Sequence, residues 1–172
     1  MKFFFKKIIF FFLLIGISEA NNNVKFVDIN FIVNNSISGK NLNEIIEKKN
    51  KKVVSELNKI RDELKIKKDK IVAQKNILKK DELENLIKEY EKEVKVFNEI
   101  KKKKTDEFNS FSIRSKKKII DLLNPLITNY LKKESIQILL QKDKIIFGDD
   151  KLNITNDILK LFDDKYKKIK FE

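Results

Sequence analysis

The 172-residue chain has neither histidine nor cysteine, so the side chains left for chemistry are carboxylates, lysines and hydroxyls. Catalytic triads that need an imidazole or a thiol are excluded, and so are most zinc sites. The glycines outside the N-terminal segment, Gly39 and Gly148, stand far apart, and no loop that could cradle a phosphate is present. Asp149-Asp150 and Asp163-Asp164 are paired carboxylates with the atoms for general acid/base work. Charged loop residues of this kind are ordinarily just solvated. No catalytic, cofactor-binding or metal-ligating residue stands out, and the chain reads as a non-enzyme. What remains is charge. Lysine and arginine number 39 against 26 acidic residues, a net +13, with lysine runs at Lys101–Lys104 and Lys116–Lys118. Such a balance favours acidic partners: an acidic polypeptide, an anionic membrane surface or nucleic acid.

The first twenty residues narrow that choice. Lys2, Lys6 and Lys7 precede an apolar run from Ile8 to Ile15, and Ser18-Glu19-Ala20 presents small residues at the positions that signal peptidase reads. The run is too short to cross a bilayer core, which needs roughly 20 apolar residues. Residues 1–20 are therefore expected to be a signal peptide cleaved after Ala20. The remaining 152 residues, Asn21 to Glu172, suffice for one domain. They hold 36 basic and 25 acidic residues, near +11. Export argues against nucleic acid as a partner, and without cysteine no disulfide staples the fold.

The elements that carry these charges are long. After cleavage only Gly39, Gly148 and Pro125 remain as breakers, and a charged fraction of 38% suits helices solvated over most of their surface. Val24 to Ile29 reads as a strand, Asn30 to Asn35 as a short helix, and Ser36, Ser38 and Gly39 as a break. From Asn41 to Leu78, Val53, Leu57, Ile60, Leu64, Ile71 and Leu78 keep three- and four-residue steps, which is a heptad seam. Leu83, Ile87, Tyr90, Val94, Phe97, Phe108, Phe111 and Leu122 repeat it. The Lys79-Lys80-Asp81 break between the two seams implies an antiparallel helical hairpin, with Asp81 as N-cap of its second helix. A 38-residue helix reaches roughly 57 Å, whereas a compact domain of this size has a radius of gyration near 15 Å. The hairpin must project as an arm. Lys67, Lys101 and Lys104 fall where the seam wants apolar side chains, forfeiting roughly 1.5–3 kcal/mol each, which predicts a pliable shaft. Pro125 is expected to kink the second helix near residues 121–125.

Ile136–Leu140 and Lys144–Phe147, joined by Lys142-Asp143, read as a β-hairpin. Thr155 or Asn156 would cap a last helix that buries Ile158, Leu159, Leu161 and Phe162. The fold class is thus mainly α with a small β-body. A body of residues 21–40 and 134–172 carries an arm of 41–133 with its tip near 78–82. So small a sheet is marginal alone, and its apolar content argues for oligomerisation. Phe97, Phe108 and Phe111 could touch a bound chain, but their spacing fits seam packing, and no client-binding residue is singled out.

Two segments resemble one known family. Val27-Asp28-Ile29-Asn30-Phe31-Ile32 followed by Ser36-Ile37-Ser38-Gly39-Lys40 looks like the opening of OmpH/Skp proteins. Ile136–Leu140, Lys144–Phe147 and Leu152-Asn153-Ile154-Thr155 with Ile158-Leu159 are similar to the family's closing segment. Asn153 departs from the family's usual Asp, and Ser135 stands where a glycine commonly precedes the strand. The resemblance implies a periplasmic, ATP-independent holdase for unfolded outer-membrane proteins, a homotrimer whose arms surround a cavity. No cofactor is implied. A structural or envelope-tethering coiled coil without chaperone activity is the alternative, and weak contact with an anionic membrane surface is a further expectation.

Overall fold

The architecture follows from two apolar ends that must meet and a charged middle that cannot join them. A computed structural model describes residues 23–171, so the segment read as a signal peptide lies outside the described residues. Strand β1 (Val24–Val27) leads into the short helix α1 (Ile29–Asn35), then the arm helices α2 (Ile37–Gln74) and α3 (Lys80–Lys133). Strand β2 (Ile138–Gln141), two 3-10 turns and helix α4 (Thr155–Lys165) complete the chain. The mainly helical class with a small sheet agrees with the sequence reading.

The sheet has two parallel strands, with Val24 opposite Ile138 and Val27 opposite Gln141. On its other edge β1 meets the 150s loop. Phe26 forms an isolated parallel bridge with Asn153, and the Ile154 N–H donates to the Phe26 carbonyl at 2.9 Å. The third strand expected at Lys144–Phe147 does not form. Lys142–Lys144 form a 3-10 turn in place of the expected hairpin turn, and Ile146 and Phe147 project into solvent, 106% and 91% exposed.

Asp28 caps α1, its Oδ1 accepting from the Phe31 N–H at 2.8 Å, while its own N–H donates to Thr155 Oγ1 at 2.8 Å. Thr155 therefore ties the two ends of the chain together and does not cap α4. The start of α4 is held by Asn153 Oδ1, which accepts from the Thr155 N–H at 3.0 Å. Ser36 separates α1 from α2, its Oγ accepting from the Gly39 N–H at 3.0 Å. A Cβ on Gly39 would lie 2.0 Å from the Val33 carbonyl oxygen, so the close approach of the two helices requires glycine. The core gathers Val27, Ile32, Val33 and Leu42 from the N-terminal side, Ile119, Leu123 and Ile127 from α3, and Ile158 and Phe162 from α4.

The arm helices are unequal, 38 residues in α2 and 54 in α3. At 1.5 Å per residue they span about 57 and 81 Å. The excess of α3 runs back across the body as its spine and continues through Pro125 without interruption. Its end closes in a Schellman arrangement, with the Ile136 N–H reaching the Leu131 carbonyl at 2.9 Å and Ser135 at φ +53°. That left-handed residue is the position where a glycine is common in the resembling family, which gives the preference its physical reason. The turn of the hairpin comes earlier than expected. Helix α2 stops at Gln74, and Lys79 is the N-cap of α3 without a side-chain cap bond. Asp81 lies inside the first turn with Glu82, where both carboxylates favour the positive end of the helix dipole.

Two stability changes of opposite sign follow. Ser135→Gly relieves the left-handed strain and is expected to raise stability by about 1 kcal/mol in urea denaturation. Gly39→Ala gains about 1 kcal/mol of helix propensity but must separate α1 from α2, so net destabilisation of about 2 kcal/mol or more is expected.

Candidate functional site: the two-helix arm

A two-helix shaft has one contact line and no surrounding layers, so its interior can be only as dry as that line. Among the described residues, Leu64 is the sole buried side chain between residues 43 and 110. Its neighbours in the seam, Val53, Leu57, Ile60 and Ile71 on α2 and Leu83, Tyr90, Val94, Phe97 and Phe108 on α3, are half-buried. Near the body, Phe111 is buried in the core. These phenylalanines face the seam, as their spacing suggested. Two positions differ from the heptad reading. Leu86 lines the groove beside Tyr90 while Ile87 is exposed, and Ile100 takes the seam position given to Lys101, which is solvated. A strict seven-residue count drifts against the 3.6-residue turn, and the drift explains both shifts.

The other two seam lysines are paired across the arm. Lys67 donates to Glu93 and Lys104 to Glu56, so each lysine faces a carboxylate of the opposite helix. The hydrogen bond from Lys104 holds the Glu56 carboxyl below its usual range, against partial desolvation and with help from the charge of Lys104. The bond from Lys67 to Glu93 raises the Lys67 ammonium in the same way. A third cation closes the root of the arm, the Lys49 ammonium lying 4.5 Å from the centroid of the Phe111 ring. The seam therefore alternates apolar and ionic layers. Open grooves flank it, one of about 380 Å³ beside Ile60, Leu64, Phe97 and Ile100 and another of about 230 Å³ beside Val53, Phe108 and Phe111.

Charges line both helices of the shaft. In the outer half, α3 carries Asp81, Glu82, Glu84, Glu89, Glu91 and Glu93 opposite the lysine-rich Lys65–Lys75 stretch of α2. In the inner half, Lys48, Lys49, Lys51 and Lys52 of α2 stand beside Lys101–Lys104 of α3, as the Glu56–Lys104 and Lys49–Phe111 contacts require. Glu47 and Glu56 offset part of this charge through Lys51 and Lys104. Glu44, Glu99, Asp106 and Glu107 stand in the same half, so charges of both signs alternate along the whole shaft, within a Debye length of about 8–10 Å of one another. Apolar side chains also stand among the charges: Ile66, Val72, Ile77, Val96 and Ile113 are each more than half exposed.

The carboxylate pairs do structural work. Asp149 Oδ1 caps a 3-10 turn through the Lys151 N–H at 2.9 Å, and Asp163 Oδ1 accepts from the Ile37 N–H at 2.8 Å at the start of α2. In the second lysine run, Lys117 pairs with Asp121 and Lys118 donates to the Lys170 carbonyl. The interhelix ion pairs escaped sequence reasoning because their partners depend on where the hairpin turns. Lysine-carboxylate matches across the two seams would have been the signal.

Acid should loosen this shaft first. Glu56 has a lowered pKa, so its pairing contributes above the ordinary carboxylate value of 4.5 and is lost as pH falls through the lowered value. Replacing Lys104 and Glu56 together by leucine should raise the thermal midpoint of the arm and remove that acid sensitivity, as followed by circular dichroism.

Comparison with known proteins agrees with this geometry. No curated protein matches the sequence significantly. The fold is similar to the crystal structure of an OmpH-like protein of Caulobacter crescentus CB15, assigned as an outer membrane chaperone. The TM-score is 0.77 over 90% of this chain and 92% of that one, at 17% identity. The family model for outer membrane protein (OmpH-like) matches residues 23–162, and the chain belongs to the OmpH-like family.

Proposed function

We propose that this protein is a periplasmic holdase that keeps unfolded outer-membrane proteins soluble, without ATP, between helical arms of a homotrimer. The family supports a chaperone role, and one observation carries the finer reading. A shaft about 57 Å long exposes isolated apolar side chains among lysines and keeps almost nothing buried of its own. Such a surface offers many weak contacts to an extended chain. Their sum can be strong while each remains exchangeable, so release needs no nucleotide. The net positive charge of the chain favours acidic segments, and in an assembly the fields of several arms add.

Self-association is supported by the body. Strand β2 presents Ile138 and Leu140 to solvent, and Ile146 and Phe147 follow it, almost fully exposed. An apolar patch beside an unpaired strand edge is a surface that a second copy can cover. A structural coiled coil would share the arm and its seam, but it has no use for this edge.

Diluting a denatured, acidic β-barrel membrane protein into the purified protein at low and high salt separates the two readings. Soluble complexes with about three chaperone subunits per client, weakened by salt, are expected. Aggregation as fast as in buffer alone would leave only the structural coiled coil. Replacing Ile146 and Phe147 by aspartate should reduce the assembly to monomers in sedimentation, with helix content unchanged.

A further inference from the structure

The end of the chain crosses the root of the arm. Residues 166–171 follow α4 without regular structure and lie beyond the span that the family model matches. Their side chains alternate: Ile169 is buried and Phe171 packs against the core, while Lys168 and Lys170 are exposed. Their backbone is tied to both arm helices. Ser38 Oγ, in the first turn of α2, donates to the Tyr166 carbonyl, and Lys118 Nζ, on α3, donates to the Lys170 carbonyl at 2.8 Å. Just before the tail, Asp163 accepts from the Ile37 backbone. One short stretch thus spans the start of α2 and the returning part of α3, at the level where the shaft leaves the body.

We infer that this tail is a strap that sets the angle at which the arm stands on the body. Leu42 is the last buried core residue of α2, with Ile45 and Ile46 packed against the core in the next turn, and beyond them only Leu64 is buried among the described residues of that helix. The arm's direction is therefore decided at its root, where the tail is bound. The strap is built to release. It has no ladder of backbone hydrogen bonds, and Lys167, Lys168 and Lys170 approach a segment that carries Lys116, Lys117 and Lys118. Of those lysines, Lys117 is partly neutralised by Asp121. Like charges oppose closure, and burial of Ile169 with the two carbonyl contacts holds it. Added salt screens the repulsion and tightens the strap. A swinging arm root would alter the space between arms, whatever their number.

Spin labels on cysteines placed at the exposed positions Lys65 and Asp143, in protein expressed from its full sequence, read the arm-to-body distance. In the intact chain the distribution should be narrow and should narrow further with salt. Truncation after Lys165, or Ile169→Asp, should widen it roughly twofold while circular dichroism keeps its helical signal. An unchanged width in the folded truncation overturns the strap. Should truncation unfold the body, Ser38→Ala combined with Lys118→Met removes both ties and leaves Ile169 and Phe171 in place. Widening in that variant supports the strap, and an unchanged width overturns it. Lys167→Glu with Lys168→Glu should narrow the distribution at low salt, an effect that core packing alone would not produce.

Discussion

Everything in this molecule depends on one short contact, the parallel pairing of β1 with β2. About 110 residues separate the two strands, and closing so long a flexible loop would cost about 4 kcal/mol. Four paired residues cannot meet that cost. The antiparallel hairpin lowers it by returning the chain to its origin, and the 150s loop adds Asn153, Ile154 and Thr155 to the second edge of β1. Asp28 and Thr155 then join the first and last elements directly. The body is a knot of chain ends, and the arm is the long loop that leaves it.

That division explains why the two halves of the molecule are stabilised so differently. Around Ile32, Ile119, Leu123, Ile158 and Phe162 the body is layered and dry, with each of these side chains fully buried. A fully buried aliphatic side chain contributes about 1.5–3 kcal/mol. The arm has only its seam, interrupted by Lys67 and Lys104, whose pairing with Glu93 and Glu56 fixes register more than it adds stability. Tyr130 marks the boundary. Its hydroxyl donates to Asp157 at 3.1 Å, linking the end of α3 to α4, and burial with that carboxylate raises its pKa. A densely buried base and a thinly packed shaft are consistent with the holdase role proposed above.

Much of this was legible in the sequence. Leu57, Leu64 and Ile71 announced the arm because a seven-residue repeat admits few other readings, and scarcity of glycine and proline gave its length. The Ser-x-Ser-Gly sequence at 36–39 was visible as a break, but only the approach of the Val33 carbonyl shows why glycine is required. Errors arose where a local signal met a tertiary one. Asp81 and Thr155 have good capping chemistry, yet the first sits two residues too deep and the second is engaged by Asp28. Lys144–Phe147 has strand composition, but the 3-10 turn at Lys142–Lys144 replaces the hairpin turn that would have laid it on the open edge of β2. The seam slipped by one residue at Ile87 and Lys101 because helical drift accumulates over a long heptad run. No client-contact residue was legible, and the exposed apolar side chains of the shaft, such as Ile66, Val72 and Val96, stand singly without forming a motif.

The central claim is that the shaft, not the body, holds the client, and amide hydrogen exchange measured with and without a bound unfolded chain tests it most directly. Without client, the account expects strong protection in the body and much faster exchange through residues 55–105. Adding client should slow exchange along that shaft and leave the body unchanged. Protection that appears on β2 and residues 142–148 while the shaft stays as it was would contradict the account and place the client on the body.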